Sequence, residues 1–130
     1  MGLFRRDKNT NKPVIRQIID LIPIHLLQRV IQTHQTDKYC HKYKTYDQLV
    51  ALMFEQLFRC STLEDISVGI GASKTFIRDL GLEQSPAKST MSDGNRKRDY
   101  KVFESLYMNL LSYYSHLLKK HSYRKTIDEI

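Results

Sequence analysis

The chain has 130 residues, enough for one domain with or without an extension, and with 41% hydrophobic and 27% charged residues it is not an intrinsically disordered polymer. No apolar run approaches the roughly 20 residues of a membrane span, and the polar, basic start Met1 to Lys12 is unlike a secretion signal, so the expected address is the cytoplasm, with no membrane partner. The net charge is +7, concentrated in residues 1–60 and 85–130 around a mildly acidic stretch, which favours a polyanionic partner such as nucleic acid.

Apolar residues recur at helical spacing nearly throughout, and no period-2 strand pattern is present, so the spacing predicts an all-α bundle of six or seven helices. The first helix should start near Pro13, with Val14, Ile15, Ile18, Ile19 and Ile22 on its apolar face. Pro23 ends it and opens a second helix carrying Ile24, Leu27, Val30 and Ile31. Thr36 to Lys44 reads as a polar loop, with Tyr39, Tyr43 and Tyr46 placed to pack or stack. A third helix begins at Thr45, where Thr45 and Gln48 have capping-box spacing. Leu49, Leu52, Met53, Gln56 and Leu57 run down one side of it, beside Phe54 and Phe58, making it the expected core helix.

Ser61 with Glu64, or Thr62 with Asp65, caps a fourth helix whose Leu63, Ile66 and Ile70 face the core and which ends at Gly69 and Gly71. A short fifth helix spans about Ser73 to Leu80, stopped by Gly81. Ser89 or Thr90 caps a sixth, running to about Arg98. The last is long, from about Asp99 to His121, with a stripe of Val102, Phe103, Leu106, Leu110, Tyr113, Tyr114 and Leu117. The chain thus divides into a basic arm (1–12), a helical domain (13–98), and a long C-terminal helix with its tail (99–130). The expected core is Ile18, Leu27, Leu49, Leu52, Met53, Leu57, Ile66, Ile70, Ile77, Leu106 and Leu110.

Two segments carry functional signal. Residues 63–80 have a helix-turn-helix-like pattern: Ile66 and Ile70 point inward, Ser67 is small where helices cross, Gly71 makes the turn, and Ile77 and Leu80 anchor the second helix. Plain helix packing fits the same residues, and Lys74 and Arg78 are second-choice DNA contacts. The stretch Lys88-Ser89-Thr90-Met91-Ser92-Asp93-Gly94-Asn95-Arg96-Lys97-Arg98 has one apolar residue, so it must be exposed or face a polar partner. Ser89, Thr90 and Ser92 suit phosphate oxygens, Asn95 can read adenine, and Lys88, Arg96, Lys97 and Arg98 supply positive charge. A solvated helix whose C-terminal cations complement its dipole is the plainer reading.

Arg5, Arg6, Lys8 and Lys12 could lie along phosphates or in a minor groove, whereas Lys119, Lys120, Arg124 and Lys125 read as surface charge. His34, Cys40, His41 and Cys60 lack zinc-site spacing, no glycine-rich phosphate loop is present, and the expected cofactor set is empty.

The blocks Gln17-Ile18-Ile19-Asp20-Leu21-Ile22-Pro23, Tyr46-Asp47-Gln48-Leu49, Phe54-x-Gln56-Leu57, Ser61-Thr62-Leu63-Glu64-Asp65-Ile66 and Ser89 through Asp99 resemble, in order and spacing, the N-terminal domain of bacterial DDE transposases of the insertion-sequence four type. The resemblance covers about residues 14–121 and implies binding of double-stranded DNA at terminal inverted repeats, near the nucleoid. It also implies a following ribonuclease-H-like domain whose three carboxylates hold divalent metal. That domain has no counterpart here, and Asp128 and Glu129 have no partner carboxylate, so the chain is expected to be no enzyme by itself. The alternatives are a helical interaction module, pairing with a second copy through the last helix, or a non-functional remnant of a transposase.

Overall fold

The apolar spacing resolves into seven α-helices and no strand among residues 11–128, which the computed structural model describes, with side chains described to His121. In chain order they are α1 (Val14–Ile19), α2 (Ile24–His34), α3 (Thr45–Phe58), α4 (Leu63–Ile70), α5 (Lys74–Asp79), α6 (Lys88–Lys97) and α7 (Lys101–Asp128). Pro13 and Pro23 are the N-cap residues of α1 and α2, where a missing amide costs nothing and the ring sets a suitable entry angle.

Side-chain acceptors fix the starts of α3, α4 and α5. Thr62 Oγ1 accepts from the Asp65 amide at 3.1 Å, which selects the second of the two caps expected for α4, and Ser73 Oγ accepts from the Phe76 amide to start α5. The expected pairing of Thr45 with Gln48 does not form. The N-cap of α3 is Lys44, whose amide donates to Asp47 Oδ2 at 2.8 Å, while Asp37 Oδ1 accepts from the Thr45 amide at 2.7 Å. Thr45 and Gln48 are therefore inside the helix and buried.

Two apolar clusters make the core. The first joins Ile15 and Ile19 of α1, Val50, Ala51 and Phe54 of α3, Ile66 and Ile70 of α4, Leu80, Leu82, and Met91 of α6. The second joins Leu27 and Val30 of α2, Leu49 of α3, and Val102 and Leu106 of α7. Tyr46 and Met53 border both, so α3 is the wall between them. This explains the departures from the expected core. A helix covered on two sides buries more than one stripe, so Val50, Ala51 and Phe54 are inside, whereas Leu57, at the far end of α3, is 47% exposed. Ile18, Leu52, Met53, Ile77 and Leu110 are half-buried.

α7 packs chiefly on α2 and continues to Asp128, beyond its expected end at His121. One of its faces covers the second cluster. On an adjacent face Tyr107, Leu111, Tyr114 and Leu118 recur at steps of four, three and four and remain exposed, although the Tyr114 hydroxyl donates to the Leu21 carbonyl.

Gly69 marks the closest approach of α4 to α3, because a Cβ there would stand 2.5 Å from Cζ of Phe54. Alanine ordinarily gains about 0.5–1 kcal/mol over glycine inside a helix. At Gly69→Ala that gain should be outweighed by displacement of the buried Phe54 ring, for a net loss of about 1 kcal/mol or more. Urea unfolding should show a lower midpoint, and a raised midpoint would mean that the ring has room to yield.

Candidate nucleic-acid interface

α6 is anchored by one apolar side chain. Met91 is 1% exposed in the first cluster, and the Tyr43 ring lies against Gly94, where a Cβ would come within 2.5 Å of it. Lys88, Ser89, Ser92, Asn95, Arg96 and Lys97 are exposed and Thr90 is half-buried. The N-cap is Ala87, without a side-chain cap, so Ser89 and Thr90 do not spend their hydroxyls in the capping role expected of them.

Opposite α6 stands the loop over residues 35–44. Lys38, Tyr39, His41 and Lys42 are exposed on it. Between loop and helix runs a groove of about 1030 Å³. Its exposed cations are Lys38, Lys42, Arg96 and Lys97, joined by His34 and His41, against the carboxylates of Asp93 and Asp99. Asp93 accepts from Arg96 at 2.7 Å and pairs with Lys97 at 3.1 Å. Lys97, then Arg96, holds its carboxyl below the usual carboxylate range, so both cations are partly balanced at neutral pH. Tyr39 is 86% exposed, carries Lys38 Nζ 5.3 Å over its ring, and has a left-handed backbone (φ 65), which a bulky residue adopts at a cost.

Arg98 departs from its expected role as a phosphate contact. Its side chain is 5% exposed and both its terminal nitrogens are bonded inside the fold. Nη1 donates to Gln48 Oε1 at 2.7 Å, and Nη2 donates to the Tyr43 carbonyl at 2.6 Å and to Cys40 Sγ at 3.5 Å. Asp37 Oδ1 is 3.9 Å away, and the guanidinium carbon lies 5.7 Å from the Tyr43 ring centre. Burial raises the Tyr43 hydroxyl pKa well above its ordinary value despite the adjacent Arg98. Arg98 thus clamps the loop onto α3 and α6. The loop is held at a second point, where the Thr45 hydroxyl donates to Asp37 Oδ1 at 2.7 Å and lies 2.7 Å from Thr36 Oγ1.

Of the residues expected to meet DNA, the groove brings together Ser89, Thr90, Ser92, Arg96 and Lys97, with Arg98 at its floor. Lys88 and Asn95 are exposed on α6 outside the groove lining, and Lys74 and Arg78 are exposed on α5, also outside it. Arg5, Arg6 and Lys8 lie outside the described residues, while Lys12 pairs with Asp20 at 3.1 Å. Lys38, Tyr39, His41 and Lys42 were not singled out by sequence reasoning as contacts, although cations and aromatics interleave across Lys38-Tyr39-Cys40-His41-Lys42-Tyr43-Lys44. Among the described residues no three His, Cys, Asp or Glu side chains cluster to hold a metal ion, and no helix is long and apolar enough to cross a membrane.

The adjacent arginines should behave oppositely on substitution. Arg96→Ala removes an exposed cation and should change stability by less than about 0.5 kcal/mol. Arg98→Ala empties a buried polar centre and should cost about 2–4 kcal/mol. Denaturant titrations of both variants decide this, and equal midpoints would refute the clamp.

Comparison with curated proteins and with solved structures finds no match. One family, described as a domain of unknown function (DUF4372), matches residues 10–83, more than half of the chain, from before α1 through the turn after α5. This chain therefore belongs to the DUF4372 family.

Proposed function

We propose that this chain binds double-stranded DNA through the groove between the 35–44 loop and α6. On this reading it is the DNA-binding N-terminal domain of a transposase of the insertion-sequence four type. It recognises the terminal inverted repeats of a mobile element and leaves strand chemistry, with its divalent metal, to a catalytic domain. The observation that carries the reading is the convergence of Lys38, Lys42, Arg96 and Lys97 with the hydroxyls of Ser89, Thr90 and Ser92 around one open groove. Such side chains make the phosphate contacts that position a duplex, and an exposed tyrosine among them can stack. The block resemblance across residues 14–121 supplies the class of DNA.

A second reading rests on the exposed stripe of α7. Tyr107, Leu111, Tyr114 and Leu118 have the spacing of a helix-pairing seam, which suits a second copy of the chain or a neighbouring domain.

Salt separates the two. Titration against the inverted repeats flanking the coding region should give a log–log salt slope of about −0.9 for each phosphate neutralised. Arg96→Ala and Lys97→Ala should each weaken binding and reduce that slope by about one. Asp93→Asn should tighten binding several-fold, because it releases both cations from their intrahelical partner. Equal binding by all four proteins, or binding by none, removes the groove reading. On the second reading the chain sediments as a dimer, Leu111→Glu returns it to monomer, and salt has little effect.

A further inference from the structure

Arg98, Gln48 and Asn95 form a chain of side-chain hydrogen bonds whose direction is dictated from its inner end. A guanidinium has only donors. Arg98 Nη1 points at the Gln48 carboxamide from a side chain that is 5% exposed, so the group it meets must be the carbonyl, Oε1, at 2.7 Å. Gln48 is itself 5% exposed and cannot turn over without setting two donors against each other. Its Nε2 therefore faces the other way and donates to Asn95 Oδ1 at 2.8 Å. Asn95 closes the relay at the protein surface, with its carbonyl turned inward and its amide nitrogen left for solvent or a ligand.

We infer that Arg98 and Gln48 are positioning residues that fix Asn95 as a hydrogen-bond donor toward DNA. The inference rests on the DNA-binding reading above and on a duplex that reaches past the groove lining to the exposed side of α6 where Asn95 lies, although the orientation of the amide rests on neither. An asparagine free to turn can accept from adenine N6 and donate to N7 at once. Asn95 has its carbonyl committed to Gln48, so it selects an acceptor on the duplex: guanine O6 or N7, adenine N7, thymine O4, or a phosphate oxygen. Asn95 accordingly discriminates against cytosine, whose major-groove edge offers a donor alone. Arg98, whose terminal nitrogens are bonded inside the fold at the groove floor, influences recognition through the relay alone.

Gln48→Glu reverses the relay with almost no change in volume. One carboxylate oxygen still accepts from Arg98. The other now requires a donor, so Asn95 must turn its nitrogen inward and present its oxygen outward. Two readouts on the full chain test this. In nitrogen-15 spectra of the wild type, the Gln48 side-chain amide protons should exchange slowly with water and those of Asn95 quickly. In Gln48→Glu the Asn95 pair should become protected. The wild-type measurement needs no variant and decides the orientation even if the variant does not fold.

The second readout is selection from a pool of randomised duplexes. If Asn95 meets a base, wild type should disfavour cytosine at one position, and Gln48→Glu should raise cytosine there by about tenfold. If Asn95 meets a phosphate, Gln48→Glu should weaken every sequence alike. Either result supports the relay. Fast exchange of the Gln48 amide in wild type, an Asn95 exchange rate equal in both proteins, or identical selection by both proteins overturns it. Failure of both proteins to bind any duplex removes the DNA reading and the base preference with it, while exchange still reports the amide.

Discussion

The groove exists because one guanidinium has to be satisfied away from water. Burying an arginine is costly unless its donors find acceptors, and Arg98 finds them on separate pieces of chain: the Gln48 side chain on α3, and Tyr43 and Cys40 on the loop. The bonds to Tyr43 and Cys40 hold a segment with few apolar residues to hold itself. The 35–44 loop has Lys38, Tyr39, His41 and Lys42 exposed, so it would gain little by packing. It is held by its backbone carbonyl at Tyr43 and by Asp37 and Thr36 at the start of α3. A loop tethered by its own polar atoms is free to turn its charged side chains outward, and that arrangement makes one wall of a cationic groove.

The same economy runs through α3. A helix between two apolar clusters is expected to be apolar all round, yet its first turns carry Thr45 and Gln48, both buried. Each has a defined partner: Thr45 meets Asp37 and Thr36, and Gln48 meets Arg98 and Asn95. A buried polar network that is satisfied at nearly every atom specifies one arrangement more sharply than apolar packing, because a slip by one residue leaves donors facing nothing. Only Nε of Arg98 is buried without a partner among the described residues.

Much of the architecture was legible in the sequence. Prolines 13 and 23 placed the starts of α1 and α2, the spacing of Ile66 and Ile70 placed α4, and the apolar stripe from Val102 placed α7 on its neighbour. The rotation of α3 was not legible, because a periodicity argument assumes one buried face and this helix has two. The cap of α3 was placed one residue late: Lys44 caps through Asp47, and the second acceptor, Asp37 on Thr45, lies eight residues upstream. The groove was half legible. The polarity of α6 drew attention to Ser89, Ser92, Arg96 and Lys97, but Arg98 read as one more cation in a basic run. A signal was available: Arg98, the C-cap of α6, follows Met91 by seven residues, two helical turns, which sets it on the side of the helix that Met91 buries. The loop's contribution was hidden for a different reason, since only tertiary contacts bring residues 38–42 opposite residues 89–97.

The position of the clamp also bears on what the family match delimits. Residues 10–83 include Asp37, Cys40, Tyr43 and Gln48, which are the partners, but exclude Arg98, which binds them, and Met91, which fills the first cluster beside Ile70 and Leu80. Taken alone, the matched segment would leave the Gln48 carboxamide and the Tyr43 carbonyl without their donor and would open an apolar space the size of a methionine. The cooperative unit in this chain must therefore reach at least through Arg98. The chemistry of the groove divides along the same line, with one cationic wall inside the matched segment and the hydroxyl-bearing wall outside it. Neither wall makes a groove alone, and the residue that brings them together is the one charge in the Arg96-Lys97-Arg98 run that is turned into the fold.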